Sequence, residues 1–144
     1  MTAYASASVE LDATPDQVWQ LIGGFDSLPD WLPYIPRSVL SDGGRVRTLA
    51  NPGGEAIVER LLTFDDAERS YSYAIEQAPF PVTQYRSTLQ VHDVDGHARV
   101  VWSGRFTPVG VSTDEASRLF GDIYCDGLAA LAQAFPFGAQ QIQP

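Results

Sequence analysis

Few side chains in this 144-residue chain can move a proton or fix a charge, and the missing ones narrow the chemistry first. All nine cations are arginine, so no lysine is present to form a Schiff base or to act as an amine general base. The two histidines, His92 and His97, flank the turn Asp93-Val94-Asp95-Gly96 and read as solvent-facing. That argues against a Ser-His-Asp or Cys-His site and against a His-rich metal centre. Cys125 has no cationic neighbour in sequence to lower its thiol pKa. What remains is a carboxylate, two arginines and several tyrosines on alternating segments. Ile57, Glu59 and Leu61 oppose Val58, Arg60 and Leu62, so either Glu59 or Arg60 faces inward. A Glu59 turned toward an apolar interior loses hydration, its pKa rises, and it can serve as general acid or base. The plainer alternatives are a Glu59 paired with a nearby arginine or lying on the outer face. Tyr73 and Tyr85 could donate to a ligand carbonyl or enolate, or be core aromatics with satisfied hydroxyls. Arg60 and Arg105 could bind a ligand carboxylate, although alternation favours the outer face for Arg105. Asp126 reads as solvated.

Composition sets the outer bounds. One domain spanning residues 1–144 is expected, long enough for a single core. No run approaches the ~20 apolar residues of a membrane span, and the start carries no basic segment of a signal peptide. A lone cysteine excludes an internal disulfide and fits a cytoplasmic setting. The net charge of −9 argues against nucleic acid or an anionic membrane as partner. Oligomeric state is not legible.

The elements that must position these residues follow from periodicity. Residues 3–11 alternate as a half-buried strand. Thr14-Pro15-Asp16-Gln17 starts a helix that carries Val18, Trp19, Leu21 and Ile22 and stops at Gly23-Gly24. A second short helix follows Asp26 or Ser27, holds Leu28, Trp31 and Leu32, and breaks at Pro33 and Pro36. Strands follow near 37–42, 45–50, 55–64, 69–77, 83–93 and 97–107. Their turns are Asp42-Gly43-Gly44, Asn51-Pro52-Gly53-Gly54, Asp65-Asp66-Ala67-Glu68 and Asp95-Gly96. Between the fourth and fifth of them, Ala78-Pro79-Phe80-Pro81-Val82 is a stiff loop with an exposed-looking aromatic, either a lid or a plain connection. A long helix runs from Ser112 or Thr113 to Pro136, with an apolar stripe of Ala116, Leu119, Phe120, Ile123, Tyr124, Leu131 and Phe135. Gly127 interrupts the stripe at a cost of about 1 kcal/mol relative to alanine. It serves either close packing on the sheet or space for a ligand. Only Gln140 to Pro144 read as loose.

This order is α+β: one strand, two short helices, six more strands and one late helix. It resembles the START-like, birch-pollen-allergen-like (helix-grip) superfamily, which includes bacterial polyketide cyclase/dehydrase-type proteins. Within it, Glu59-Arg60-Leu61, Asp65-Asp66, Arg69, Tyr73, Ile75, Tyr85, Ser87 and Val91-His92 are spaced as in plant abscisic acid receptors. The resemblance implies a seven-stranded antiparallel sheet curved around the last helix, with a cavity between them. It also implies that Glu59, Tyr73, Tyr85 and Ser87 point into that cavity, that Phe120 and Tyr124 face them, and that Trp31 and Tyr34 lie near one end. Alternation agrees in part, placing Tyr71, Tyr73 and Ile75 on one face, Tyr85, Ser87, Leu89 and Val91 on another, and Trp102 with Phe106. Trp19 and Trp102 read most simply as core.

The departures matter equally. The stretches Ala50 to Gly54 and Phe80-Pro81-Val82 lack the receptors' loop motifs, and their cavity lysine has no counterpart here. Hormone sensing and lysine-dependent condensation are therefore rejected. The expectation is a domain that binds a small hydrophobic, aromatic or polyketide-like molecule without metal or cofactor. Glu59, Tyr73 and Tyr85 are the candidate catalytic residues for a cyclisation, dehydration or isomerisation. Trp31, Tyr34, Ile75, Ser87, Trp102, Phe120, Tyr124 and Gly127 are the candidate ligand contacts. The alternative is a non-catalytic carrier or sensor; a co-chaperone-like interaction module ranks last, since the assignable outer positions are mostly polar.

Overall fold

The computed structural model describes residues 1–135 and the backbone of residues 142 and 143. The first strand, β1 (Ala3–Leu11), buries Ala3, Ala7, Val9 and Leu11 and turns Tyr4 and Ser6 to solvent, as its alternation requires. Helix α1 (Pro15–Ile22) opens on a reciprocal capping box. Thr14 Oγ1 accepts from the Gln17 backbone at 3.1 Å, and Gln17 Oε1 accepts from the Thr14 backbone at 2.9 Å. It stops where Gly23 N–H returns to Trp19 O at 2.7 Å, and a Cβ on Gly23 would strike the Trp19 ring. A short helix, α2 (Leu28–Trp31), follows.

The strands are β2 (Ser38–Ser41), β3 (Val46–Leu49), β4 (Ile57–Asp65), β5 (Ser70–Gln77), β6 (Val82–Val94) and β7 (His97–Pro108). Every recorded pairing is antiparallel, in the order β2-β3-β4-β5-β6-β7-β1. The first strand therefore lies beside the last long one, with Ala3 opposite Phe106 and Leu11 opposite Ala98. These seven strands are the sheet expected of a helix-grip fold. Beyond β1, the backbone of β8 (Ile142–Gln143) pairs with Ser8 and Val9, so part of the tail expected to be loose extends the sheet edge.

Helix α3 (Thr113–Gln133) starts where Ser112 Oγ accepts from Glu115 N at 3.1 Å. It presses Ala116, Phe120, Tyr124, Gly127, Leu128, Leu131 and Ala132 onto the concave side of the sheet. The buried stripe is rotated slightly from the expected one: Leu119, Ile123 and Phe135 are only half-buried, and Leu128 and Ala132 are enclosed. The helix packs chiefly against β1 and, less, against β7, which turns this face inward. The helix ends by Ala134; Pro136, the expected stop, lies outside the described residues.

Candidate functional site

Sheet and helix do not meet along their whole length. Between them lies a cavity of about 520 Å³, walled mainly by apolar side chains from α2, the sheet and α3. Its rim is made by Tyr34, by Asn51 and Pro52 of the β3–β4 turn, and by Phe80 of the β5–β6 loop. Phe80 was expected to stand exposed at a loop tip. Instead it is half-buried, edge-on to Phe120 with ring centroids 5.3 Å apart, and forms part of the cavity lining.

The inner end is polar. Alternation on β4 resolves in favour of Glu59 inward. Arg60 lies on the outer face, bonded to Glu76 at 3.0 Å and Asp42 at 2.9 Å. Directly across the ladder from Glu59 stands Arg47 of β3, a residue that sequence reasoning passed over. Its Nε and Nη2 both lie 2.8 Å from Glu59 Oε1. Nη1 donates to Phe25 O at 3.0 Å and Tyr71 Oη at 3.1 Å. The guanidinium carbon also lies over the Phe25 ring at 4.2 Å and the Tyr73 ring at 4.7 Å. Both members of the pair are enclosed, with side chains 1% and 8% exposed. Oε2 of Glu59 receives no hydrogen bond from the described residues, and Glu59 lines the cavity. Burial moves the Glu59 carboxyl above its ordinary range, and the Arg47 charge works against that rise.

Next to the ion pair is a group of hydroxyls. Trp102 Nε1 donates to Tyr73 Oη at 3.0 Å and to Ser87 Oγ at 3.1 Å, and Ser87 donates to Ser103 O at 2.8 Å. The Tyr85 and Tyr124 hydroxyls bond each other at 2.5 Å. Burial holds the Tyr73 and Tyr85 hydroxyls well above their usual range, reinforced at Tyr73 by the negative charge of Glu59 and at Tyr85 by the neighbouring Tyr73 and Tyr124. Burial likewise pushes Tyr124 up to about 12. All three are neutral phenols near pH 7 and so remain hydrogen-bond donors. Gly104 makes this possible, because a Cβ there would collide with the Tyr124 hydroxyl.

A family model described as "Polyketide cyclase / dehydrase and lipid transport" matches residues 2–136. The chain belongs to this family. Solved structures agree. XoxI from Bacillus cereus is 60% identical, with a TM-score of 0.89 over 93% of this chain and 96% of that one. A Thermobifida fusca protein is 30% identical, with a TM-score of 0.81 over 93% of each chain. Norcoclaurine synthase from Thalictrum flavum, at 21% identity, has a TM-score of 0.68 over 94% of this chain and 91% of that one; this likeness concerns the helix-grip fold alone. No curated protein matches the sequence.

In this polyketide cyclase/dehydrase-family chain, Glu59, Tyr73, Tyr85, Tyr34, Ile75, Trp102, Phe120 and Tyr124 all reach the cavity wall. Three expected contacts do not. Ser87 is buried behind Trp102 as its hydrogen-bond partner. Trp31 is buried behind Trp102, with ring centroids 5.9 Å apart. Gly127 serves packing rather than ligand space, since a Cβ there would lie 2.5 Å from Trp102 Cζ3. Arg105 is exposed on the outer face and Asp126 is exposed on α3, where its charge adds to the burial that pushes Tyr34 up to about 12. His97 bonds Glu10 at 2.9 Å on the hairpin, and neither histidine lines the cavity. Burial and the neighbouring Asp122 and Asp126 raise the Cys125 thiol, which leaves it a poor nucleophile.

Proposed function

We propose that this chain binds a small hydrophobic molecule, aromatic or polyketide-like, inside the cavity. One observation carries the reading: an apolar chamber of about 520 Å³ whose only ion pair, among the described residues lining it, sits at the inner end. That volume lies within the range of small-molecule sites. Aromatic rings of Phe80, Tyr85, Trp102 and Phe120 offer faces and edges to a flat ligand. The polar end would fix its orientation. On this reading the chain is a single ligand-binding domain of the cytoplasm, the setting that its lone cysteine suggests. Equilibrium dialysis of the purified protein against extracts of its source cells, followed by mass spectrometry, tests it. A retained hydrophobic compound is expected, and none retained under any condition overturns it.

A catalytic form of the same reading is favoured by the unpartnered Glu59 Oε2. With Oε1 held by Arg47, the second oxygen can take a proton from a bound carbon acid or hydroxyl. Tyr73 and Tyr85 would then donate to the developing oxyanion, and the closed walls would hold a flexible substrate in its folded shape. This chemistry is a cyclisation, dehydration or isomerisation. Glu59→Gln should abolish turnover of any compound the wild type converts while binding persists. A product formed equally by both sinks the catalytic form and leaves a carrier or sensor.

A further inference from the structure

The polar end of the cavity also constrains which hydrophobic molecule fits. We infer that the site selects an uncharged ligand bearing a hydroxyl donor, a phenol or enol, and rejects the corresponding carboxylic acid; this rests on the cavity being a ligand site. Arg47 is the obvious partner for a ligand carboxylate, yet every nitrogen of its guanidinium already contacts protein. Nε and Nη2 are on Glu59, and Nη1 is shared between Phe25 O and Tyr71. To bind an acid, Arg47 would have to abandon Glu59 and leave a carboxylate enclosed without a counter-charge. The atom actually offered to a ligand is Glu59 Oε2, an acceptor on the negative half of the pair. A ligand hydroxyl satisfies it, whereas a ligand carboxylate brings a second negative charge to the same water-poor space. The neighbouring phenols supply the complementary half. Tyr73 accepts from Trp102 and keeps its own proton, and the Tyr85–Tyr124 pair uses one proton internally and retains the other. The described geometry thus reads a donor at Glu59 and an acceptor at the tyrosines.

Equilibrium dialysis with naphthalene, 2-naphthol and 2-naphthoate at pH 7 tests this on the wild-type protein. These share one ring system, so only the polar group varies. 2-Naphthol should bind best, about tenfold or more above 2-naphthoate, with naphthalene between them. In Glu59→Gln, whose amide can keep its oxygen on Arg47 and turn an N–H₂ to the cavity, the preference should shrink or reverse. Naphthoate binding the wild type as tightly as naphthol, while naphthalene also binds, overturns the inference and leaves the cavity reading intact. Discrimination unchanged in Glu59→Gln overturns the assignment to Glu59. If none of the three binds, both the inference and the ligand-site reading fall. Should the variant not fold, the wild-type ranking alone decides.

Discussion

Removing one partner of the Arg47–Glu59 pair should not cost the same from either side. The pair is enclosed and bonded at 2.8 Å, and breaking such a buried pair costs about 3–5 kcal/mol, because the survivor is left charged without compensation. The survivors differ. An arginine cannot shed its proton inside a protein, so Glu59→Leu strands a permanent cation. Arg47→Met strands a carboxyl, which can take up a proton at about 1.4 kcal/mol per unit between its pKa and the ambient pH. Burial already raises that carboxyl, and loss of Arg47 removes the one charge opposing the rise. A carboxyl raised in the folded state contributes stability that is full below its unfolded value, near 4.5, and is lost as pH climbs through the folded one. Arg47→Met should therefore regain stability between pH 7 and pH 5, whereas Glu59→Leu should show no such recovery. For a chain of 144 residues an unfolding entropy of about 0.3 kcal/mol/K makes 3 kcal/mol equivalent to a fall of about 10 °C in Tm. The double variant Arg47→Met/Glu59→Leu should come back to within about 1 kcal/mol of wild type, since paired apolar replacement is often neutral. Urea unfolding followed by tryptophan fluorescence at pH 5, 6 and 7 measures all four proteins. Single variants losing equal amounts at every pH, with an additive double, would show that the two groups do not interact as a buried ion pair.

Other expectations concern packing and access. Gly127→Ala gains helix propensity but sets a methyl 2.5 Å from Trp102 Cζ3, so a net loss of about 1–3 kcal/mol is expected in urea unfolding. An unchanged midpoint would mean that Trp102 moves aside freely. Gly104→Ala should evict the Tyr124 hydroxyl and break its bond to Tyr85, weakening ligand binding by about tenfold or more while the far-ultraviolet circular dichroism stays native. Phe80→Ala removes the ring that meets Phe120 edge-on, and stopped-flow release of bound 2-naphthol should quicken several-fold with little change in stability. Release at the wild-type rate would place the entrance elsewhere on the rim.

How much of this was legible depended on what each residue's neighbours contribute. Tyr73, Tyr85, Trp102 and Phe120 were placed on the correct faces because period-two and period-three-to-four patterns report sidedness directly. Those patterns carry no depth, so they do not separate the cavity wall from Ser87 and Trp31, which lie on the same side one layer behind Trp102. Gly127 left two explanations open until the Trp102 ring was located against it. Arg47 gives a weak sequence signal, because β3 is four residues long and a buried arginine is rare. The signal was present all the same. Leu49 shares its face, and folding the chain back at Asn51–Gly54 sets Arg47 opposite Glu59. A Glu59 that faces inward calls for a cation, and the cross-strand position supplies it.

The position of β1 also orders events in time. Its ladder partner, β7, is made almost ninety residues later, with Leu11 meeting Ala98, and α3 later still. A chain emerging from the ribosome can form the β2–β3 and β4–β5 hairpins promptly, but β1 must wait as an unpaired apolar edge until β7 appears. Until α3 docks, the wall supplied by Phe120, Ile123 and Tyr124 is missing and the chamber lacks one side. Ligand capture is thus confined to the finished molecule, and the nascent chain is most vulnerable to misassociation in the interval before its seventh strand is complete.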